Sequence, residues 1–342
     1  MRIINAIHAQ SIGGVDQVFR DYSEILVKQG HEVALLISDN GRDNYKISGV
    51  KKIFKLKNNA QIFDFLNLFK IIIFYQPKII FCHSARIMAW ARFLKFITKT
   101  KFIAVNHGIT FKKSLFCNYI ISINQEITKM VIDCGFDKNK SFTLKNAIKV
   151  DQKFQKKILK NPPIIGIYGR IEPRKGFDIL IKAGALLKKQ AVDFRLKIGG
   201  FEVEGSYNFE SLKTLAKAEN ILENCQFVGT VLDKKNFFED VDIFCIPSRE
   251  EPFGIVILEA FLHSTLVISS DTDGGKTLIG KNENGVIFTK ENFTELAEKI
   301  CHILNNFSHY ENLPKKAFLN LEKEFSFDCL EKGMFEILQK IK

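Results

Sequence analysis

The chain has no stretch of apolar residues near the roughly 20 needed to cross a bilayer; runs such as Ile71–Phe74 and Ile255–Leu258 break off far sooner. Its seven cysteines (Cys82, Cys117, Cys134, Cys225, Cys245, Cys301 and Cys329) are scattered, odd in number and free of CxxC or Cys/His spacing. That pattern supports neither a disulfide framework nor a zinc site, and predicts a cytosolic protein with mostly buried thiols. The opening MRIINAIHAQ holds one basic residue and a short apolar run, which reads as a first β-strand rather than a signal peptide. GxSxG, HExxH and a convincing GxGxxG fingerprint are missing. GGKT at Gly274–Thr277 looks like the end of a P-loop, but GxxxxGK[ST] needs glycine at position 270, where Ser270 stands. With 46% hydrophobic and 26% charged residues over 342 positions, the composition argues against disorder, collagen-like repeats and a coiled coil. At roughly 150 residues per domain, two globular domains are expected.

Acids are scarce in one region. Residues 1–160 carry 27 Lys/Arg against 11 Asp/Glu, a balance of +16, while residues 161–342 carry 23 against 27, a balance of −4. Between Lys46 and Lys113, 14 basic residues face one acid, Asp64. These charges interleave with apolar residues in IFDFLNLFKIIIFYQPK and SARIMAWARFLKFITKTK. In the second segment Ile87, Trp90, Phe93, Leu94 and Ile97 fall near helical spacing, with Arg86, Arg92, Lys95, Lys99 and Lys101 on the flanks and far side. Two readings stand side by side. One is a solvated, lysine-rich helix face. The other is an anionic membrane surface, where Lys/Arg beside Trp, Phe and Leu is the expected pattern and each basic residue is worth roughly 1 kcal/mol. Nucleic acid is disfavoured, because no zinc finger, RNP aromatic motif or GXXG loop accompanies the charge.

Strand and helix patterns alternate along the chain. Ile3–Ala6 reads as a buried strand, followed by Gly13-Gly14 and a helical stripe of Val15, Val18, Phe19, Tyr22, Ile25 and Leu26. Gly30 suits the position just past a helix end, and Val33–Ile37 is the next strand. Further strands are expected at Ile79–Cys82, Phe102–Val105, Tyr119–Ile123 and Ser141–Leu144. The polar KVDQKFQKKILKNPP then interrupts the alternation and reads as a linker. After it come strand Ile164–Tyr168, helix Phe177–Lys189, strands Phe194–Ile198, Gln226–Val228 and Ile243–Ile246, a helix from about Gly254, and strand Leu266–Ser269. Repeated βα units predict an α/β protein of two doubly wound domains, 1–160 and 161–325, with ligands at the strand ends in the cleft between them. An amphipathic helix at 326–342 is expected to complete the first domain.

The most informative segment is IFCIPSREEPFGIVILEAF, residues 243–261. A strand ends, a polar turn follows, and Pro252-Phe253-Gly254 leads into a helix whose N-terminus suits a phosphate. Glu251 lies before that terminus and Glu259 inside the helix. Ionised carboxylates only accept hydrogen bonds and can take two at once, so they suit sugar or ribose hydroxyls. A diphosphate also needs cations, and YGRIEPRKGF supplies Arg170 and Lys175 at the end of another strand. A nucleoside-diphosphate ligand is the implied occupant. Two DxD triplets, Asp240–Asp242 and Asp271–Asp273, are poor candidates for a metal: the first precedes a buried strand and the second lies late in a second α/β domain.

EPFGIVILE has the E-x7-E form of retaining glycosyltransferases of family 4, and the chain resembles that family over nearly its whole length. The other matching segments, in order, are the early Gly13-Gly14, Gly30–Val33 (GHEV), Val105–Gly108 (VNHG), Ser122–Asp137, Asn146–Ile148 (NAI for NGI), Gly169–Gly176 (GRxxxxKG) and Asp271–Phe288. Ala147 replaces the glycine of NGI, and Lys276-Thr277 stands where many members carry a proline or an acid. The resemblance implies the GT-B fold, two Rossmann-like domains: an N-terminal acceptor domain and a C-terminal nucleotide-sugar donor domain. It implies a retaining, metal-independent hexosyltransferase acting on a lipid-linked or cell-envelope glycan, as in lipopolysaccharide synthesis. The donor would be a UDP- or GDP-sugar used as substrate, with no cofactor, and the enzyme would sit peripherally on the inner face of the cytoplasmic membrane. Carried over residue by residue, Arg170 and Lys175 would neutralise the diphosphate, Glu251 would orient the donor sugar and Glu259 would hold the ribose. Phe253, Gly254, Ile255 and Val256 would meet sugar and phosphate through their backbone. Gly14 would approach the phosphates or acceptor, and His107 would lie near the donor sugar. A nucleotide-sugar 2-epimerase of similar fold and a degenerate, non-catalytic membrane scaffold are the alternatives.

Overall fold

The computed structural model describes residues 1–8, 13–38, 45–57, 61–203, 205–281 and 283–341. Ala9 and Gln10 of the opening segment and Asn282 of the closing motif lie outside them. The chain divides into two compact units, Met1–Asn146 with Leu330–Lys342, and Ala147–Cys329.

The first unit alternates β1 (Arg2–Ala6), α1 (Gly14–Lys28), β2 (Glu32–Ser38), β3 (Lys52–Leu56), α2 (Gln61–Tyr75), β4 (Ile79–Cys82), α3 (Ala85–Ile97), β5 (Lys101–Asn106), β6 (Tyr119–Ser122), α4 (Gln125–Asp133) and β7 (Ser141–Thr143). All its ladders are parallel, in the order β3-β2-β1-β4-β5-β6-β7. Parallel strands covered on both faces are apolar throughout, which is why β4, with all four residues buried, reads cleanly from sequence. Ile4, Leu36, Ile80, Phe102 and Ile120 from the sheet pack with Leu68, Ile72, Ile87, Leu94 and Val131 from α2, α3 and α4. The edge strand β3 went unread: only Leu56 is buried, and Lys52 and Lys55 break the pattern.

The second unit repeats the plan: β8 (Ile164–Ile171), α5 (Phe177–Lys189), β9 (Arg195–Glu202), α6 (Phe209–Ala218), β10 (Cys225–Gly229), α7 (Lys234–Asp240), β11 (Ile243–Ile246), α8 (Ile255–Leu262), β12 (Leu266–Ser270), α9 (Asp273–Ile279) and β13 (Val286–Phe288). Three further helices follow: α10 (Phe293–Asn305), α11 (Phe307–Tyr310) and α12 (Leu313–Glu324). The parallel strand order is β10-β9-β8-β11-β12-β13. Residues of α5, α6 and α10 form one core with the sheet. The last helix, α13 (Phe327–Lys340), runs from one unit into the other, with Leu330 onward grouped with the first.

The expected border at residue 160 differs from the division after Asn146. Residues 149–163 hold no helix or strand, but they are fastened to the second unit. Gln155 N donates to Ser264 Oγ at 3.0 Å. Lys157 Nζ donates to the Phe238 and Val241 carbonyls at 2.5 and 3.1 Å and to Thr265 Oγ1 at 2.6 Å. The segment is a strap rather than a free linker.

Candidate functional site

In both sheets the strand order reverses direction between the first and fourth strands, β1 and β4 in one unit and β8 and β11 in the other. In open parallel sheets the carboxyl ends of such a pair leave a crevice that neighbouring loops cannot fill. Lys175 follows β8 and Glu251 follows β11, so the two predicted residues flank one switch point. They meet there: Lys175 Nζ lies 2.5 Å from Glu251 Oε2, and both are largely buried. The approach depends on Gly176, whose φ of 69° is left-handed and whose Cβ, if present, would fall 2.0 Å from the Pro247 carbonyl oxygen.

Gly254, at φ 91°, turns the chain into α8, and no side chain caps that helix's first turn. Phe253 is buried, while Ile255 and Val256 are half-buried at the helix start. Glu259 lies one turn further in and is 5% exposed. A carboxylate so buried needs partners: Tyr168 Oη donates to one of its oxygens and Lys234 Nζ to the other. Burial, and then the adjacent carboxylate, push the Tyr168 phenol well above its ordinary range. Tyr168 and Lys234 were missed in the sequence, since nothing in their local patterns marks them as neighbours of Glu259. Arg170 leaves the end of β8 and pairs with Glu172 Oε1 at 3.0 Å. The glycine pair of the closing motif has a packing reason. Gly274 N donates to Glu251 O at 2.7 Å, and a Cβ on Gly274 would lie 2.3 Å from the Phe253 carbonyl oxygen.

Gly14 and His107 belong to the first unit. Gly14 is the exposed first residue of α1. His107 follows β5, and its Nε2 lies 3.0 Å from Nδ1 of His83, which follows β4. Burial pushes His107 down to about 4; burial and then the charge of His107 hold His83 well below the usual imidazole range. Both rings are therefore neutral near pH 7. Arg86, expected on the basic face of α3, has its Nη1 2.8 Å from His8 Nε2, just past β1. Four buried polar atoms at this sheet's carboxyl edge have no hydrogen-bond partner among the described residues: His83 Nε2, Asn106 Nδ2, Ser122 Oγ and Asn146 Oδ1. Buried polar groups without partners are costly, so water or ligand groups are their natural complements.

Elsewhere, α2 and α3 meet at Phe65 and Trp90, whose rings lie 6.2 Å apart. They leave large apolar side chains in solvent, including Phe74 at 83%, Phe96 at 80% and Phe63 at 70% exposure. The one acid of the basic stretch, Asp64, is buried and accepts from Lys57 N. No helix among the described residues is long and apolar enough to cross a membrane. Three of the four DxD aspartates are structurally engaged. Asp240 pairs with Lys197, Asp242 accepts from Ile164 N, and Asp271 accepts from Lys290 N. No group of three or more His, Cys, Asp and Glu among the described residues is arranged to hold a metal ion. A cavity of about 540 Å³ is lined by Gly285, Glu298, His302 and Tyr310. It opens beside the start of β13, the opposite sheet edge from Lys175 and Glu251.

Two Rossmann-like units with parallel sheets are the frame of the GT-B fold. The family model for glycosyl transferases group 1 matches residues 149–319, and that for glycosyltransferase family 4 matches residues 12–152. The chain belongs to this family. It is 24% identical over 357 residues to the lipopolysaccharide core biosynthesis glycosyltransferase LpsE of Rhizobium meliloti, covering 98% of each protein. It is 23% identical over 356 residues to the capsular polysaccharide biosynthesis glycosyltransferase CapM of Staphylococcus aureus, covering 93% of this chain and 92% of CapM. Among solved structures, Anabaena HepE in complex with UDP superposes with a TM-score of 0.86 at 16% identity, over 99% of this chain and 100% of HepE.

Proposed function

We propose that this glycosyltransferase moves a hexosyl group, with retention, from a UDP- or GDP-sugar to a lipid-linked or cell-envelope glycan at the cytoplasmic face of a membrane. The observation that carries the reading is the charge arrangement at the second switch point. Lys175 and Arg170 offer cations to a diphosphate, while Glu251 and Glu259 offer acceptors to sugar and ribose hydroxyls. The uncapped start of α8 adds backbone donors from Phe253–Val256.

In this reading the C1–phosphate bond breaks as the acceptor oxygen bonds to C1 on the same face. The acceptor's proton passes to the leaving phosphate oxygen. No protein nucleophile is needed, and catalysis rests on positioning and on stabilising the departing diphosphate. Arg170 and Lys175 supply that charge without a metal ion. Glu251 orients the sugar. His107, neutral at pH 7, gives a hydrogen bond to a sugar hydroxyl, and Gly14 lets backbone approach the ligand. The unpartnered atoms of His83, Asn106, Ser122 and Asn146 suit a hydroxyl-rich acceptor. The exposed aromatics of α2 and α3 beside Arg92, Lys95 and Lys99 suit an anionic lipid surface. LpsE and CapM, named for envelope glycans, and HepE, solved with UDP, support the acceptor class and make UDP the first probe.

Thermal unfolding with UDP, GDP, ADP and CMP, each with and without EDTA, tests the proposal. A nucleotide at about 100 times its dissociation constant stabilises by about 2.7 kcal/mol. One diphosphate should raise the midpoint despite EDTA, and Glu259→Ala should abolish most of that rise. No shift with any nucleotide would favour the non-catalytic scaffold.

A further inference from the structure

Arg249 was not singled out by its sequence context, yet its guanidinium is the most heavily engaged cation near Lys175. Nη1 and Nη2 take both oxygens of Asp178, at 2.9 and 2.8 Å, in the first turn of α5. Nη1 also donates to the Pro173 carbonyl at 2.6 Å, and Nε donates to Glu291 Oε1 at 3.0 Å, just past β13. The Arg249 backbone N donates to the Arg174 carbonyl at 2.8 Å. One residue thus joins the loops that follow β8, β11 and β13. Lys175 lies between two of the anchored positions, Arg174 and Asp178, and Glu251 stands two residues beyond Arg249.

We propose that Arg249, with Asp178, is a positioning residue that sets Lys175 and Glu251 for the diphosphate of a nucleotide ligand. The inference rests on the donor-site reading of Lys175 and Glu251 above. Exposed ion pairs are usually worth little, but a planar fork closing on both carboxylate oxygens and on a carbonyl fixes geometry as well as charge. A lysine there would carry the charge without the fork. Burial works against ionisation of Asp178, but the hydrogen bonds and charge of Arg249 prevail and hold its carboxyl below the ordinary range. All these partners lie in loops or a first helical turn at the carboxyl edge, and none in the sheet. The clasp therefore acts where a phosphate would bind rather than on the core.

The test is calorimetric titration of the full chain with UDP, GDP and ADP, each against its monophosphate. Arg249→Ala and Asp178→Asn should lose about tenfold or more in affinity for the diphosphate that the wild type prefers, while monophosphate affinity changes far less. Arg249→Lys should restore only part. A merely structural role would weaken both ligands alike, and that result, or unchanged diphosphate affinity, would overturn the inference. Asp178→Asn keeps the bond to Pro173 and so remains informative if Arg249→Ala fails to fold. A wild type that binds none of the three diphosphates would overturn the donor-site reading itself.

Discussion

Acid should loosen the first unit, and His107 should account for a measurable share of the loss. The folded chain holds His107 at about 4 by burial, against an ordinary value of 6.5. Between those values the unfolded chain binds a proton that the folded chain refuses. Stability is therefore full above pH 6.5, falls as pH drops through 6.5, and keeps falling until about pH 4. At about 1.4 kcal/mol per pKa unit, the whole displacement amounts to about 3 kcal/mol, of which about 2 kcal/mol is lost by pH 5. The ring is only half-buried by its own surface, so solvent screening reduces the share at pH 5 to about 1–2 kcal/mol. His83, fully enclosed and displaced the same way, adds to it. His107→Gln keeps an amide opposite His83 Nδ1 but cannot titrate. Urea unfolding at pH 7.5 and 5.0 measures the difference, followed by fluorescence of Trp90, the only tryptophan in the chain and a residue of α3. His8, His31 and His263, also displaced downward, are present in both proteins and cancel. Wild type should lose more stability than His107→Gln over this interval. Equal losses would mean that His107 titrates like a solvated imidazole, and the enclosed setting read for it would be refuted.

Two further outcomes are expected. Gly176→Ala should cost more than the roughly 1–2 kcal/mol of a left-handed alanine, because its Cβ would fall on the Pro247 carbonyl. Gly229→Ala, also left-handed but with no neighbour within 4 Å, is the control; equal drops in melting temperature would remove the packing argument. Replacing Arg92, Lys95 and Lys99 with glutamine should weaken binding to phosphatidylglycerol vesicles by about 3 kcal/mol, or about a hundredfold, at low salt. UDP binding should persist, and unchanged vesicle binding would return α3 to a solvated face. Arg86 is left intact because it holds His8.

Much of the fold was legible because parallel strands buried on both faces write themselves as unbroken apolar runs. Ile79–Cys82, Ile243–Ile246 and helix Phe177–Lys189 were read at their observed bounds. Two of the four edge strands were not: β3 alternates with lysines, and β13 has only three residues, whereas the edges β7 and β10 were read to within a residue or two. The site divided in the same way. Residues carried by a local motif, such as Glu251, Glu259, Arg170 and Lys175, could be named. Their partners could not, because Tyr168 reaches Glu259 across 91 residues and Arg249 reaches Asp178 across 71. Of these, Tyr168 carried the nearest thing to a signal, a phenol directly before the Gly-Arg of its motif.

The two sheets share one strand order through six strands, so topology alone gives both units an equal crevice. What distinguishes them is the residues along the carboxyl edges of the two sheets. After β8 and β11 stand charges of both signs already in contact, Lys175 with Glu251, and Glu259 enclosed by Tyr168 and Lys234. After β4 and β5 stand neutral imidazoles, with Arg86 the cation beside them against His8, followed along the same edge by amide and hydroxyl atoms that lack partners. A diphosphate brings charge that must be met by fixed cations, whereas a glycan brings hydroxyls that need neutral donors and acceptors. Backbone repetition therefore leaves the roles of the two units open, and side-chain chemistry favours charge recognition in the second and hydroxyl recognition in the first.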